Sequence, residues 1–224
     1  MNLVKSQDYF NPIDVKSRCH IIGCGSVGST VAELLARLGI TNISLYDFDT
    51  VSAHNIANQM FFNGDIGRQK VDAVRDLICN INPEAASTIE LHPEGWTDKT
   101  RLNGYVFLCV DNIDLRRKIA QKNRPNQAVK AMFDFRTRLE DAQHYAAAWN
   151  NAKDVDNFIK GMDFSHDEAH EQTPVTACNI EMGIAPTVRC ICDIGVANFM
   201  NYIRTNRLHT VVLVNPFSFE IEKY

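Results

Sequence analysis

The chain has 224 residues, of which 45% are hydrophobic and 22% are charged, and its formal net charge is −4 at pH 7. These values are typical of one substantial soluble domain and exclude a fusion of two enzymes. A pI near 6.0 lacks the basic excess that binding along a phosphate backbone requires. Nucleic acid is therefore not expected as the main partner.

The cysteines and the apolar runs indicate in which part of the cell the protein is expected. Seven cysteines, an odd number, are scattered through apolar stretches, which favours reduced thiols over a disulfide framework. The N-terminal residues contain no apolar run suited to a signal sequence, and no run reaches the roughly 18 apolar residues of a membrane span. We expect a cytoplasmic protein that does not act at a membrane.

Short apolar runs alternate with amphipathic stretches through the first half of the chain. In chain order they predict a strand at 19–22, a helix over about 29–38, a strand at 42–46, a helix over about 70–80, a short strand at 87–91, a strand at 105–110 and a helix over about 114–122. Strand–helix–strand units of this kind predict an α/β fold, a doubly wound Rossmann-like sheet that is mostly parallel.

The pattern changes in the second half of the chain. Residues 133–139 alternate apolar and polar, which predicts a strand with one face in solvent whose end, between 139 and 149, is left open. A polar, acidic stretch at 150–176 reads as a crossover loop with a short helical pattern at 155–159. A helix over 186–204, a strand at 209–214 and a tail at 217–221 follow. We expect these later strands to be antiparallel or mixed.

A glycine motif follows the first predicted strand and opens the first helix. Gly23, Gly25 and Gly28 have the G-x-G-x-x-G spacing, and without Cβ atoms such a backbone can turn tightly and approach a phosphate held at the helix N-terminus. Asp47 closes the second strand about 20 residues later, where an acidic side chain meets a ribose hydroxyl in such folds. These residues predict a nucleotide site and leave NAD, FAD and ATP open.

Further motifs separate these possibilities. They are D-F-D-T-V at 47–51, N-I-A-N-Q at 55–59, D-I-G-R-Q-K at 65–70, I-N-P at 81–83 and D-N at 111–112. Their identity, order and spacing resemble the ThiF/MoeB/HesA family, the relatives of ubiquitin-activating enzymes, and among these the short bacterial ThiF-type proteins. The resemblance covers about residues 19–112, and a looser likeness continues at 178–186.

The resemblance implies an activity and its partners. Members bind ATP and Mg²⁺, adenylate the C-terminal carboxylate of a small ubiquitin-fold or sulfur-carrier protein or peptide, typically ending in Gly-Gly, and release pyrophosphate. It also implies a homodimer and one adenylation domain over 1–224, with a nucleotide-binding half at 19–112 and a partner-binding half at 113–224. A catalytically weak or inactive scaffold and an NAD-dependent oxidoreductase are the alternatives.

The resemblance also assigns roles to residues at the matching positions. Gly23, Gly25 and Gly28 would hold the phosphates, Asp47 the ribose, Lys70 the phosphate charge and Asp111 the Mg²⁺, with Asp49 as a second acid and Asn55 and Gln59 bonding phosphate or positioning the loop. Simpler alternatives stay open: Lys70 as a solvated surface lysine, Asp111 as a helix N-cap, Asp49 as a loop cap, and Asn55 and Gln59 as structural residues.

The chain departs from the family pattern at its arginines. The arginine of the family's N-L-x-R-Q motif is Asn58 here, which removes a planar cation near the phosphates. Arg68 is close in sequence and could substitute. The family's second arginine lies in an N-terminal arm, whereas this chain has only Lys5, Lys16 and Arg18 before its first strand. These gaps favour the scaffold alternative.

The thiols depart from the family pattern as well. No cysteine lies between residues 112 and 177, so the family's crossover thiol is missing, and Cys190 and Cys192, two apart on a helix, cannot share a face. We expect no structural zinc. Cys178 is the candidate nucleophile, although a buried structural cysteine is the simpler interpretation.

Three side-chain groups in the second half complete the predictions. His166 and His170 share a helical spacing, but a metalloprotease motif needs Glu directly after the first histidine, and this chain has Asp167 there. Phe133, Phe135, Thr137 and Leu139 form one strand face that we expect in the core. Arg136 and Arg138 point the other way, towards an acidic partner tail or the phosphates.

Overall fold

A single mixed sheet of eight strands organises the protein. The structure, a computed structural model, describes residues 1–171 and 182–224. The parallel strands are β1 (Cys19–Ile22), β2 (Ile43–Tyr46), β3 (Glu90–His92), β4 (Gly104–Leu108) and β5 (Val129–Thr137). The antiparallel strands are β6 (Ala142–Ala148), β7 (Val211–Asn215) and β8 (Glu220–Lys223). Their order, β3-β2-β1-β4-β5-β6-β7-β8, confirms the predicted doubly wound α/β fold.

Helices cover both faces of the sheet. They are α1 (Ser26–Arg37), α2 (Lys70–Ile81), α3 (Ile113–Asn123), α4 (Ala152–Lys160), α5 (His166–Glu171) and α6 (Ala185–Thr205). Apolar residues of α1, α2 and α6 form one core with one face of the sheet, and those of α3 and α4 form a second core with the other face. Ile21 belongs to the first core and Ile22 to the second, which explains the uninterrupted apolar runs of the parallel strands.

Phe199 of α6 anchors the larger core. Its ring packs edge-on against Tyr105 and Phe107 of β4 and Phe133 of β5, with centroid distances of 5.1, 5.4 and 5.6 Å. Phe133 and Phe135 are fully buried, as predicted for their strand face. These contacts join the long C-terminal helix to the strands that carry the candidate site.

The first helix begins earlier than its predicted start at 29. Gly25 is its N-cap, so Gly28 already lies within the first turn of α1. The last glycine of the motif therefore belongs to α1, and its role in packing α1 on β1 is described below.

The prediction of a strand at 133–139 with one wet face was wrong in two respects. The strand begins at Val129, and a turn at 138–141 separates it from β6, so two strands occupy the region. The polar Asp134 on the supposed wet face is fully buried. Ion pairs with Arg116 and Arg136, at 2.6 and 2.7 Å, compensate its burial.

The region from 150 to 171 is more helical than predicted: the helical pattern at 155–159 is part of the longer helix α4, and the surrounding residues are not simply a loop. Asn151 caps α4 by accepting hydrogen bonds from the backbone N–H groups of Lys153 and Asp154, and Val155 and Phe158 bury one face of the helix. Charged residues on the outer face gave the stretch its loop-like composition. The region continues in α5, and Cys178 lies outside the described residues.

The predicted tail at 217–221 contains an eighth strand. Asn215 closes a turn by accepting hydrogen bonds at Oδ1 from the N–H groups of Phe217 and Ser218, and β8 then pairs with β7. Within the described part of the chain, every helix is too short or too polar to cross a membrane.

Candidate functional site

A cleft of about 940 Å³ opens at the carboxyl ends of β1, β2 and β4. The strand order reverses between β1 and β4, and open α/β sheets bind ligands at that position. The volume lies towards the upper end of the range for small-molecule sites. Most of the residues singled out from the sequence contribute to its walls.

The glycine motif forms one side of the cleft and supports it. Gly23 has φ +92°, and a Cβ there would lie 2.7 Å from Val110 N and 2.8 Å from Cys109 O. No described atom outside its chain neighbours lies within 4 Å of a Cβ built on Gly25, which caps the N-terminus of α1. Gly25 therefore borders open space at a helix N-terminus, where a phosphate can approach the backbone N–H groups.

Gly28 does not line the cleft, contrary to the prediction that all three glycines hold phosphates. A Cβ at Gly28 would overlap the carbonyl oxygen of Gly23. Gly28 therefore allows α1 to pack closely on the end of β1 and shapes the loop from behind.

Asp47 lines the cleft directly after β2. Its Oδ2 accepts a hydrogen bond from Cys24 N at 2.6 Å, and its Oδ1 accepts one from Asp49 N at 2.8 Å. Burial raises the pKa of Asp47, while these two hydrogen bonds and the charge of Lys70 oppose the rise. Each oxygen keeps a lone pair, so the fixed carboxylate can accept further hydrogen bonds from a ribose.

Lys70 opens α2 and lines the cleft from there. The residue is 8% exposed, so it is not the solvated surface lysine of the simpler alternative. Its Nζ donates to Asp49 Oδ2 at 2.9 Å, and its backbone N–H donates to Asp49 O at 2.9 Å. The half-exposed carboxylate of Asp49 thus holds the ammonium in place. A bound phosphate would compete with Asp49 for this ammonium.

A short 3-10 helix (Ala53–Ala57) and the residues after it form a second wall. The buried Asn55 accepts from Ser52 N at 2.9 Å, and Asn58 Nδ2 donates to Gly183 O at 3.3 Å. Gln59 Oε1 is buried without a hydrogen-bond partner among the described residues. Asn58, where the family has arginine, therefore contributes a contact between two walls of the cleft rather than a cation.

Asp111 lies on the cleft wall between β4 and α3 and is exposed. The helix N-cap is its neighbour Asn112, whose Oδ1 accepts from Leu115 N at 2.9 Å, so the alternative of Asp111 as the cap was wrong. Asp111 makes no hydrogen bond or ion pair with another described residue, so its carboxylate can face a ligand.

A buried arginine fixes the backbone just before Asp111. Arg116 donates from Nε to Val110 O at 2.6 Å, and from Nη1 to Asp134 Oδ1 and Phe135 O, both at 2.6 Å. Burial acts to raise the pKa of Asp134, but the guanidiniums of Arg116 and Arg136 outweigh it and hold the pKa below its usual range. This network ties the strand end that carries Asp111 to β5.

Two predicted cations do not reach the cleft. Arg68 pairs with Asp65 at 2.7 Å and with Asp76, and it is not among the lining residues, because these two acids draw its guanidinium away. Arg136 is largely buried, pairs with Asp134 and stacks on Tyr145 at 4.2 Å instead of pointing outwards. Arg138 lies exposed in the turn after β5.

Besides Tyr46, which was predicted only as the end of a strand, sequence reasoning missed three ring-bearing residues that line the cleft: Phe48, His54 and Trp96. Trp96 is held by Lys118 and Lys122, whose Nζ atoms lie 5.8 and 5.6 Å from its ring centroid. Phe48 lies between two acids of a recognised motif, which was a usable signal. Trp96 and His54 stand in no motif, and only the folded chain brings them to the cleft.

Acidic side chains outnumber lysine and arginine in the cleft. Among its described lining residues are three carboxylates, Asp47, Asp49 and Asp111, and one ammonium, Lys70. A polyanionic nucleotide would therefore need a divalent cation here. The donor set fits Mg²⁺, which takes one or two carboxylates and completes its shell with water and substrate phosphates.

The described cysteines offer no obvious nucleophile or zinc site. Burial raises the pKa of Cys109, which lines the cleft, and of Cys24 and Cys192. A buried thiol of this kind stays protonated and unreactive. Within the described ranges, no three His, Cys, Asp or Glu side chains are grouped to hold a metal by themselves.

The chain is similar in sequence to known enzymes over about half of its length. Over 110 residues, the chain is 33% identical to the molybdopterin-synthase adenylyltransferase of Escherichia coli strain K12, a match that covers 46% of this chain and 43% of that protein. It is 32% identical over 125 residues to ubiquitin-like modifier-activating enzyme 5 of Caenorhabditis elegans, covering 48% of this chain and 29% of the relative. The matches thus span less than half of each relative.

Solved structures extend the likeness to nearly the whole chain. The crystal structure of E. coli MccB with MccA-N7isoASN superposes with a TM-score of 0.75 at 16% identity, covering 95% of this chain and 66% of that chain. This is a likeness of fold. The profile of the ThiF family matches residues 15–211. The chain therefore belongs to the ThiF family.

Proposed function

We propose that this protein activates a carboxylate by adenylation. ATP is the nucleotide, and the carboxylate is the C-terminus of a small ubiquitin-fold or sulfur-carrier protein, or of a peptide, typically ending in Gly-Gly. The observation that carries the proposal is the convergence of Gly25, Asp47, Lys70 and Asp111 on one cleft at the switch point of the sheet. An adenylation site needs these groups together, because it must hold a ribose, a phosphate chain and a metal side by side.

The geometry supports a division of the cleft between the parts of ATP. The N-terminus of α1 at Gly25 and the ammonium of Lys70 suit the phosphates, and the carboxylate of Asp47 suits the ribose hydroxyls. Ile22, Tyr46, Trp96, Val110 and Leu115 supply an apolar wall beyond Asp47, which suits the base.

The reaction is a substitution at the α-phosphorus. A carboxylate oxygen attacks the α-phosphorus and forms a new bond to it. The bond from the α-phosphorus to the oxygen that bridges the α- and β-phosphates breaks, and pyrophosphate leaves with the electron pair. The products are an acyl adenylate and pyrophosphate. Negative charge grows on the phosphates during the transfer, so Lys70 and the α1 N-terminus assist most when they are fixed in advance. Asp111 would hold Mg²⁺, which would supply positive charge to offset part of this increase.

The proposal extends to the rest of the chain. Residues 19–112 contribute most of the nucleotide cleft, and residues 113–224 contribute Leu139 and Gly183 to its outer wall, where a C-terminal tail could enter. We propose a single adenylation domain that works as a homodimer. Size-exclusion chromatography with light scattering tests the dimer.

A non-catalytic scaffold is the alternative function. It is favoured by Asn58, which bonds to Gly183 instead of supplying a cation, and by Lys70, whose ammonium is paired with Asp49. Such a protein would bind its partner without turning over ATP.

Pyrophosphate exchange into ATP distinguishes the two. The assay uses a panel of ubiquitin-fold carriers ending in Gly-Gly, each compared with its C-terminally amidated form. Adenylation predicts exchange with a free carboxylate only, reduced about 100-fold to 1,000-fold in Lys70→Ala. Lys99→Ala is the matched control, because Lys99 is exposed outside the cleft lining.

Two outcomes would count against the proposal. Equal exchange in wild type and Lys70→Ala would remove Lys70 from the phosphate site. Retained ATP binding with no exchange for any carrier would favour the scaffold.

A further inference from the structure

The second wall of the cleft presents the imidazole of His54. The side chain lines the cleft, is exposed, and makes no hydrogen bond or ion pair with any other described residue. It stands on the 3-10 helix Ala53–Ala57, whose end is fixed by backbone hydrogen bonds from Asn58 N and Gln59 N to Asn55 O, at 3.3 and 2.9 Å. The imidazole is therefore carried by ordered backbone.

The polar neighbours of His54 on this wall are bonded to the protein or buried. Asn55 Oδ1 is bonded to Ser52 N, Asn58 Nδ2 is bonded to Gly183 O, and Gln59 Oε1 is buried. An imidazole can donate through either ring nitrogen, and through both when protonated. His54 thus has unused donor capacity on the wall.

The cleft has few positive charges with which to bind a phosphate chain. Three carboxylates face one ammonium there, and that ammonium, on Lys70, is bonded to Asp49 at 2.9 Å. Arg68 is held outside by Asp65 and Asp76. Among the described lining residues, His54 is the remaining side chain that can carry positive charge.

We propose that His54 binds the phosphate chain of ATP and supplies the second cationic contact of the cleft. A protonated imidazole donates from both ring nitrogens and can therefore bond two phosphate oxygens. The inference rests on the proposed use of ATP, and it adds a phosphate-binding residue that lies outside the recognised motifs. It also gives a reason why the cleft can dispense with an arginine at position 58.

Calorimetric titration tests the proposal with two probes, a non-hydrolysable ATP analogue with Mg²⁺ and adenosine. His54→Gln should weaken binding of the triphosphate about tenfold, the value of one charge-assisted hydrogen bond, and leave adenosine binding unchanged. His54→Arg should restore the triphosphate affinity. His209→Gln is the control, because His209 is an exposed histidine outside the cleft lining.

The outcomes separate this inference from the proposed function. Unchanged triphosphate affinity in His54→Gln, or an equal loss for adenosine, overturns the role of His54. Lys70→Ala is titrated in parallel: if it weakens triphosphate binding while His54→Gln does not, only the inference about His54 fails. If wild type binds adenosine and the triphosphate equally well, the proposed phosphate site fails as well. Equal thermal midpoints of wild type and His54→Gln show that the variant is folded.

Discussion

Acid should destabilise this protein well above the pH at which its carboxylates titrate, because two histidines are buried in the neutral form. His144 is fully buried; its Nδ1 lies 3.0 Å from Asp134 O, and its Nε2 lies 3.2 Å from Asn198 Nδ2. Asn198 also accepts from His209 N and donates to His209 O, which fixes its amide orientation. Nε2 of His144 must therefore accept a hydrogen bond, and the proton sits on Nδ1.

The magnitude follows from the pKa values. Burial lowers the pKa of His144 from 6.5 to about 4, and burial likewise lowers the pKa of His20 to about 4. Because these values lie below those of the unfolded chain, the folded protein binds fewer protons, and the free energy of unfolding decreases as the pH falls from 6.5 towards 4. Each histidine should cost about 2 kcal/mol between about pH 8 and about pH 5. The sum, about 4 kcal/mol, is a large part of a typical domain's stability.

Urea unfolding at the two pH values measures this loss. His144→Gln keeps an amide donor for Asp134 O and an acceptor for Asn198, but it cannot titrate, so its loss should be smaller than that of wild type by about 2 kcal/mol. His209→Gln, an exposed control, should lose as much as wild type. Other titrating groups, such as Asp47, contribute equally to the loss in wild type and in His144→Gln, so their contributions cancel in the comparison. Equal losses in wild type and His144→Gln would refute the reasoning.

Three further predictions follow from close packing, buried charge and the metal site. Gly28→Ala should lower the free energy of unfolding, measured with urea, by about 3 kcal/mol, because the new Cβ would overlap Gly23 O. Gly25→Ala should be tolerated. Equal stabilities of the two variants would contradict the packing role of Gly28. Asp134→Asn should cost about 3 to 5 kcal/mol in the same assay by leaving buried guanidiniums unpaired, and a loss below about 1 kcal/mol, as expected for a surface pair, would contradict this. Asp111→Asn should weaken calorimetric ATP binding in Mg²⁺ while leaving binding in EDTA unchanged, and an equal effect in both would remove the metal role.

The first half of the fold could be predicted because its signals are local. The glycine motif, the apolar runs and the acids at strand ends each lie within a few residues of the structure they specify, and Gly25, Asp47, Lys70 and Asp111 indeed line one cleft. The sequence could not show that Gly28 faces away, because that depends on how closely α1 approaches β1.

The second half was harder because its determinants are distant in sequence. Asp134 looks like a solvent-facing residue until Arg116, 18 positions away, is brought against it. The sequence indicated α4 only as a short helical pattern at 155–159, because charged residues occupy its outer face, although Asn151 was a readable cap. The approach of Trp96 to the cleft likewise depends on the loop after β3, which no periodic pattern describes.

Thermal unfolding with different nucleotides tests the central claim most directly. At about 100 times its Kd, a ligand adds about 2.7 kcal/mol to stability, which corresponds to a rise in Tm of about 5 to 10 °C for a chain of this length. We predict this rise with ATP and Mg²⁺, none with NAD, and its loss in Lys70→Ala but not in Lys99→Ala. A rise with NAD alone, or an ATP response that Lys70→Ala leaves intact, would contradict an ATP-dependent adenylation site in this cleft.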